Sequence, residues 1–453
     1  MMRAQTLFAV ADACGVARSA VDATFARVVT DSRKVQTGDL FVALKGENFD
    51  AHNFLPDVQR AGAAAAVVEK IRSDISLPQL YVNDTVQALG KIAELNRAAF
   101  QGKVIGLTGS AGKTTTKEMI AAILAQQSKP LVTQGNLNNH LGVPMTLLAL
   151  SPEHDCAVIE MGASALGEIR YLTQMAKPDV ALVTNVGAAH LEGFGSVENI
   201  AQGKCEIFEG LSASGIAVIN LDNAWTATWL DALPVKAITF SAESSADVFA
   251  TDVEQSASGV RFTLHTNQES RHIALRFLGV HNVSNALAAA ACCLALGLSL
   301  DIVCAGLQAA QPYKGRLQTR KGVKGCRVID DSYNANPTSV RAAIDALMLC
   351  GGEKILVLGD MAELGADARA LHAGIGAYAK EAGVKNLLVT GDLSRATAEA
   401  FGAEAQYFST WELLAVQCAA IANEQCVFLV KGSRSAGMDR VADQLAVNEE
   451  VLC

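Results

Sequence analysis

The sequence is poor in aromatic residues, which make up 5% of its 453 positions, and it has no long uninterrupted apolar run. Its longest apolar helical candidate, 286–298, falls short of the ~18 residues a membrane span needs, so membrane insertion is not expected. Cysteines are present but not in pairing patterns. There are eleven, an odd number, with no Cys-x-x-Cys, and two are adjacent as Cys292 and Cys293 in an Ala-rich stretch. That disfavours a zinc site and suits small core hydrophobes in a reducing compartment. An excess of positive charge is also missing: 37 basic against 46 acidic residues give a net charge of -9, which argues against a nucleic-acid partner. Any phosphate chemistry must rely on local positive groups. The N-terminus carries one basic residue, Arg3, before an apolar run from Leu7 to Ala11 that Asp12 interrupts, a pattern of an amphipathic helix and not of a signal peptide. These absences together point to a cytoplasmic protein.

What is abundant is glycine, alanine and apolar residues generally, half of the chain, as expected of an α/β protein with tight strand-to-helix turns. At ~100 to 200 residues per domain the length exceeds one core, and three domains is the working number.

One stretch organises the rest. Gly106 to Lys117 follows the apolar Val104 and Ile105 and opens a helical pattern. Within it Gly109 and Gly112 let backbone amides turn toward an anion, Lys113 reaches toward β/γ-phosphates, and Thr114 offers a hydroxyl to Mg2+ at a helix N-terminus. The full eight-residue phosphate-loop pattern needs Gly at 107, which is Leu, so the signal is the shorter Gly-x-x-Gly-Lys-Thr form preceded by Thr108.

Before the loop, Val28 to Arg33 ends an extended stretch on polar residues, and Gly38 to Gly46 gives a turn, a strand and a second glycine, with Asp50 and His52 following. The turn Asp31-Ser32-Arg33 has two readings, a sugar or phosphate contact and a solvated turn. A helix running into a strand is expected over 61–68 and a helix over 85–100, closing a first domain near Gln101.

After the loop, Gly135 to His140 is polar and Gly-rich, and its asparagines suit either a polar ligand or Asx turns. The apolar strand 157–162 carries a carboxylate, Glu160, at its end, where ligands gather in open parallel sheets. A second buried strand, 180–186, precedes the loop 189–196 with His190, which reads either as structural or as a ligand. Lys204 lies in a helical pattern and by composition alone faces solvent. Alternating segments 247–253 and 260–265 read as antiparallel strands separate from the parallel sheet. The residues 281–285 read as the cap of the Ala-rich helix, and a boundary falls near Gln311-Pro312. In the last 140 residues, strands 326–331, 355–358, 387–389 and 427–430 alternate with helices, a second doubly wound sheet without its own phosphate loop. It reads as a partner domain closing over the nucleotide, with Asp331, Lys431 and Arg434 as candidates to reach across.

Taken in order, these strings resemble the Mur ligases, the ATP-dependent amide-forming enzymes of peptidoglycan synthesis. The carrying motifs are 31–33 with 38–46, 108–114, 135–139, Glu160-Met161-Gly162, 189–196, His281-Asn282 with Asn285, 330–337 (Asp-Asp-Ser-Tyr-Asn-Ala-Asn-Pro), 359–365 (Gly-Asp-Met-Ala-Glu-Leu-Gly) and Lys431 to Arg434. The resemblance spans essentially the whole chain. One departure is Ala51, where the family pattern has glycine.

The resemblance implies an α/β protein of three domains. They are a small UDP-sugar-binding domain (1–101), a central ATP-binding domain with a parallel sheet and an antiparallel subregion (102–312), and a Rossmann-like domain that admits the incoming dipeptide (313–453). It implies an acyl-phosphate mechanism acting on UDP-N-acetylmuramoyl-tripeptide and D-alanyl-D-alanine, with ATP and Mg2+, in a monomer. By position it assigns ATP binding to Thr108, Gly109, Ser110, Ala111, Gly112, Lys113, Thr114, Thr115, Asn282, Asn285, Arg316 and Asp331. Metal ligation falls to Thr114, Glu160, His190 and a carbamylated Lys204, and the catalytic set is Lys113, Lys204 and His190. Substrate contacts fall to Ser32, Arg33, Gly46, Asn138, Asn139, Asn334, Asn336, Lys431 and Arg434. The competing expectations are a sibling ligase adding the third peptide residue, a folylpolyglutamate synthetase, and a nucleotide-driven switch without ligase chemistry.

Overall fold

The computed structural model describes residues 1–187 and 190–447. Ala189, in the motif 189–196, lies outside the described residues.

In the N-terminal part the strands Val28–Val29, Leu40–Val42, Ala65–Val68 and Gln79–Tyr81 form a parallel sheet in that order. The expected first helix is there, Leu7–Cys14, burying Leu7, Val10 and Ala11 and capped by Thr6. The helix expected over 61–68 lies earlier, at Leu55–Arg60, and only the strand occupies the second half of that range. Pro56 starts the helix in its first turn, and Gly62, at φ 84°, ends it. The long helix Thr85–Ala99 is capped by Asp84, which accepts from the amides of Val86 and Gln87. Its far end is tied to the central part. The Asn96 amide donates to the carbonyls of Leu147 and Leu150, and Arg97 to those of Ala176 and Lys177.

The central sheet has nine strands. From one edge the order is Ser270–Leu275, Gly259–Thr266, Val248–Ser256, Lys236–Ser241, Ile216–Asn220, Val180–Val183, Lys103–Thr108, Cys156–Glu160 and Pro130–Val132. The antiparallel strands are therefore not separate, as the alternation suggested. They continue the parallel sheet, because Val248–Ser256 pairs parallel with Lys236–Ser241 on one side and antiparallel with Gly259–Thr266 on the other. The edge strand Ser270–Leu275 escaped the sequence reading, since its exposed positions are polar and its apolar ones few.

One face of this sheet is covered by the helices Lys113–Leu124, His281–Ala295 and Leu300–Ala309, and the other by Gly142–Leu148, Glu168–Ala176 and Val197–Cys205. In the Ala-rich helix every residue from Ala286 to Cys293 is buried. Small side chains there allow close helix-to-sheet approach, which explains how the chain fills its core with so few aromatics. Residues 281–285 do not cap this helix from outside. They are its first turns, and no side chain caps it.

The C-terminal sheet has six strands in the order Gln318–Lys321, Arg327–Asp331, Cys426–Lys431, Glu353–Leu358, Asn386–Thr390 and Ala405–Phe408. All pair in parallel except the first, which is antiparallel to its neighbour. Helices cover both faces, as expected of a doubly wound sheet. The two strands missed in the sequence are the edges, half-exposed and polar enough to hide the apolar pattern.

Candidate active site

Phosphate-loop geometry follows from two glycines. Gly109 and Gly112 have φ of 154° and 78°, and a Cβ on them would run into Thr184 Oγ1 and Asn285 Oδ1 respectively. The loop is pinned from below by the chain that leaves Val180–Val183. Ser110 Oγ donates to Gly187 O (2.9 Å), Thr184 Oγ1 to Ala111 O (2.7 Å), and the Ala111 amide to Asn185 Oδ1 (2.9 Å). That strand stops at Val183 and not at 186, which frees these polar residues to hold the loop. Lys113 opens the helix Lys113–Leu124 and donates from Nζ to Gly109 O at 2.7 Å. Burial lowers its proton affinity, Glu160 opposes that shift, and Arg316 adds to it.

Glu160 ends its strand beside this helix, 2% exposed. Thr114 Oγ1 donates to its Oε2 (3.1 Å) and Asn138 Nδ2 to its Oε1 (2.8 Å). The Gly162 amide donates to Asn138 O (2.8 Å), so the loop 135–140 clamps the strand end at two points. Asn139 makes the Asx turn, its Oδ1 accepting from the Leu141 amide at 3.2 Å and also from the Gly142 amide at 2.9 Å. Lys117, one turn beyond Lys113 and fully buried, lies 3.8 Å from Glu160 Oε2 and donates to Thr133 O at 2.7 Å. The sequence reading gave Lys117 no role, although a spacing of four places it on the helix face of Lys113.

Asn282 and Asn285 form a polar line along the start of the Ala-rich helix. Asn285 Nδ2 donates to Asn282 Oδ1 (2.8 Å), and Asn285 Oδ1 accepts from Thr116 (3.3 Å). Above them the C-terminal part closes a cleft of about 1050 Å³, lined by the loop, Glu160, His190, Asn282 and Asn285 on one side and by Arg316, Asp331, Tyr333, Asn334, Asn336, Glu363, Lys431 and Arg434 on the other. Arg316 stacks on Tyr333, 4.1 Å from the ring centre. Its Nε and Thr108 Oγ1 are buried without a hydrogen-bond partner among the described residues. Two orphaned polar groups beside an anion-shaped loop are what a nucleotide site requires.

Of the residues expected to reach across, Lys431 and Asp331 instead pair with each other, Nζ to Oδ2 at 2.5 Å, with Asn334 O accepting as well. A buried ammonium needs that counter-ion. Arg434 is taken by Asp439 at 3.0 Å, and Asn336 caps the helix Pro337–Met348 through the Ser339 amide. Two other side chains do cross: Arg316, reaching Thr114 Oγ1 at 3.5 Å, and Glu363, whose Oε2 is 2.5 Å from His190 Nδ1. The motif around Glu363 was visible in the sequence, but its role was not.

Among the four expected metal ligands the one direct contact in the structure is between Thr114 and Glu160. Among the described residues no group of three His, Cys, Asp or Glu side chains is placed to hold a metal. Thr114 and Glu160 meet, and their hydroxyl and carboxylate are the hard oxygen donors Mg2+ prefers. His190 faces Glu363. Lys204, far from facing solvent, is 2% exposed, with Nζ 5.9 Å from the Phe194 ring centre. Burial, and then the charge of Lys113, lower its proton affinity well below the ordinary lysine value.

Ser32, Arg33 and Gly46 do not line the cleft. Arg33 is 86% exposed and grips Asp31 with two hydrogen bonds, holding that carboxyl at about 2. Gly46 closes its own loop by donating to Phe49 O (2.8 Å).

A domain that cradles phosphates, facing a second doubly wound domain across a cleft, is the construction of a nucleotide-dependent enzyme that brings another substrate to the bound nucleotide. Family models match along the chain in order: "Mur ligase family, catalytic domain" over 24–97, "Mur ligase middle domain" over 107–293, and "Mur ligase, glutamate ligase domain" over 315–434. The chain belongs to the Mur ligase family. It is 45% identical over 430 residues to the UDP-N-acetylmuramoyl-tripeptide--D-alanyl-D-alanine ligase of Escherichia coli K12, covering 94% of this chain and 95% of that one. The enzyme of the same name from Haemophilus influenzae is 40% identical, with 92% of each chain covered. A crystal structure of MurF from Acinetobacter baumannii superposes with a TM-score of 0.90 at 39% identity, over 98% of this chain and 99% of that one. The Thermotoga maritima MurF ligase in complex with ADP gives 0.83 at 29% identity, over 92% and 96%.

Proposed function

We propose that the protein joins D-alanyl-D-alanine to UDP-N-acetylmuramoyl-tripeptide, forming UDP-N-acetylmuramoyl-pentapeptide, ADP and phosphate. The observation that carries the reading is the cleft that sets Lys113 and Glu160 opposite Asn334 and Asn336, in a chain 45% identical to a ligase of that name. A carboxylate oxygen of the tripeptide attacks the γ-phosphorus of ATP, and ADP leaves. The dipeptide's amine then attacks the acyl carbon, loses a proton and expels phosphate. Lys113 holds the β/γ-phosphates from the loop, whose amides orient the rest. Arg316 and the polar line of Asn282 and Asn285 bound the nucleotide pocket, and Asn334 and Asn336 face the peptide side.

Thr114 and Glu160 fit a divalent cation. They would hold one, and His190 with Lys204 would serve a second, the metals supplying charge neutralisation to the transferring phosphoryl group. Lys204 serves as a carbamate: its neutral amine adds to CO2 and releases one proton, which turns an uncharged nitrogen base into an oxygen anion. Support comes from its burial, which together with the Lys113 charge lowers its proton affinity and so favours the free amine, the only nucleophilic form. The reaction belongs in the cytoplasm, in keeping with ten described cysteines that are all unpaired and a chain in which no described helix is long and apolar enough to cross a membrane.

The test is phosphate release with all combinations of substrates. Turnover is expected only with ATP, the UDP-muramoyl-tripeptide and D-alanyl-D-alanine together. Turnover with a single amino acid and a shorter muramoyl peptide would move the protein to a sibling activity, and ATP hydrolysis indifferent to both would make it a switch.

A further inference from the structure

His190 and Glu363 form the only ion pair among the described residues that joins the central part to the C-terminal part, and they come from loops held by unrelated anchors. His190 precedes the short helix Leu191–Phe194, and its carbonyl accepts from the Gly193 and Phe194 amides. Glu363 lies on the loop 359–365, which is fastened at its base. Asp360 accepts from the Ser394 amide and hydroxyl, both at 2.7 Å, and its carbonyl accepts from the Ser433 amide at 2.8 Å. The Met361 amide donates to the buried ring of His372 at 2.9 Å. Both partners adopt left-handed backbone, φ 57° for His190 and 60° for Glu363, which non-glycine residues seldom do. Two strained residues facing each other across a cleft mark a contact that both loops are shaped to make.

The contact uses one ring nitrogen. With Glu363 accepting from Nδ1–H, the imidazole is fixed as the tautomer whose Nε2 carries the free lone pair, the arrangement in which a carboxylate orients a metal-binding histidine. We infer that Glu363 is a positioning residue for His190, and that, because it is borne by the C-terminal domain, it makes the second metal site complete only when that domain stands over the cleft. This rests on the metal role of His190 proposed above.

The experiment is a Mn2+ titration of the full-length protein with a non-hydrolysable ATP analogue and the tripeptide substrate, followed by electron paramagnetic resonance. Wild-type protein should bind two ions, and His190→Ala should lose the weaker one. Glu363→Ala should weaken that ion by roughly 10- to 100-fold without moving the tighter one. Glu363→Gln, whose amide oxygen accepts the same hydrogen bond, should recover part of the loss. Second-site affinity in Glu363→Ala equal to or tighter than wild type would overturn the inference, provided that His190→Ala loses the ion. If His190→Ala keeps it, the metal role beneath the inference is what has failed.

Discussion

The two lysines to which opposite tasks are proposed, Lys113 and Lys204, are separated by their surroundings. Lys113 keeps Glu160 as a nearby opposing charge, whereas Lys204 has burial and the Lys113 charge acting in the same direction, both against its proton. Lys113→Ala should therefore cut acyl-phosphate formation on the order of 100-fold or more, because electrostatic stabilisation dominates phosphoryl transfer. Near-normal turnover in that variant would make the loop structural. Lys204→Ala should lose most activity and regain part of it with added acetate or formate, while Lys204→Arg should stay inactive, because its permanent cation fills the space the anion needs. Wild-type turnover in Lys204→Arg would contradict the carbamate. At this scale the sequence was legible where a residue's place on its own element decides where it lies, as for Glu160, which ends a buried parallel strand at the cleft. It was not legible where the partner is remote. His190 and Glu363 are 173 positions apart, and Lys204 is buried by packing that helical periodicity does not encode.

The phosphate loop and the loop 359–365 are each fixed by a few contacts, and each has its own prediction. Alanine at Gly112 meets both a left-handed backbone, which costs roughly 1–2 kcal/mol, and the Asn285 amide. Gly112→Ala should weaken ATP binding at least tenfold in calorimetry while lowering Tm by only a few degrees; unchanged ATP affinity would show the glycine is not needed for the loop's shape. The second loop hangs on His372, whose Nε2 accepts the Met361 amide and whose other ring nitrogen donates to Ala368 O. Burial holds the proton affinity of His372 below the ordinary imidazole value of 6.5, and burial does the same to His281. The unfolded chain therefore takes up protons first as pH falls, so this contribution to stability is complete above about 7 and is lost as pH drops through 6.5 and below. Thermal unfolding should show Tm falling from pH 7.5 to 5.5, with a shallower slope in His372→Gln. A slope identical to wild type would remove His372 from the account. Among the elements, most apolar strands and the helices around 85–99 and 281–295 were readable, although the apolar strand Ile216–Asn220 and its neighbour Lys236–Ser241 went unread. The edge strands Gln318–Lys321, Ala405–Phe408 and Ser270–Leu275 were not, because one side of each meets solvent and the buried pattern is thinned.

For the whole molecule, alternating strands and helices interrupted near 101 and 312 suggested three units, and the family models fall within the same three stretches. What the sequence left hidden was the joint between them. The helix Thr85–Ala99 is anchored to the central part by Asn96 and Arg97, so the N-terminal unit is held firmly. Across the cleft the described contacts are sparser, with Arg316 reaching Thr114 at 3.5 Å and Glu363 reaching His190. Such an arrangement suits a C-terminal part that swings to admit a dipeptide and closes for chemistry. The central claim is that the tripeptide's carboxylate is phosphorylated before the peptide bond forms. It is tested most directly by supplying UDP-N-acetylmuramoyl-tripeptide labelled with 18O in its terminal carboxylate and weighing the phosphate released during ligation. The account predicts one 18O atom in each phosphate, transferred from the acyl phosphate; phosphate carrying no label while the peptide bond forms would contradict it.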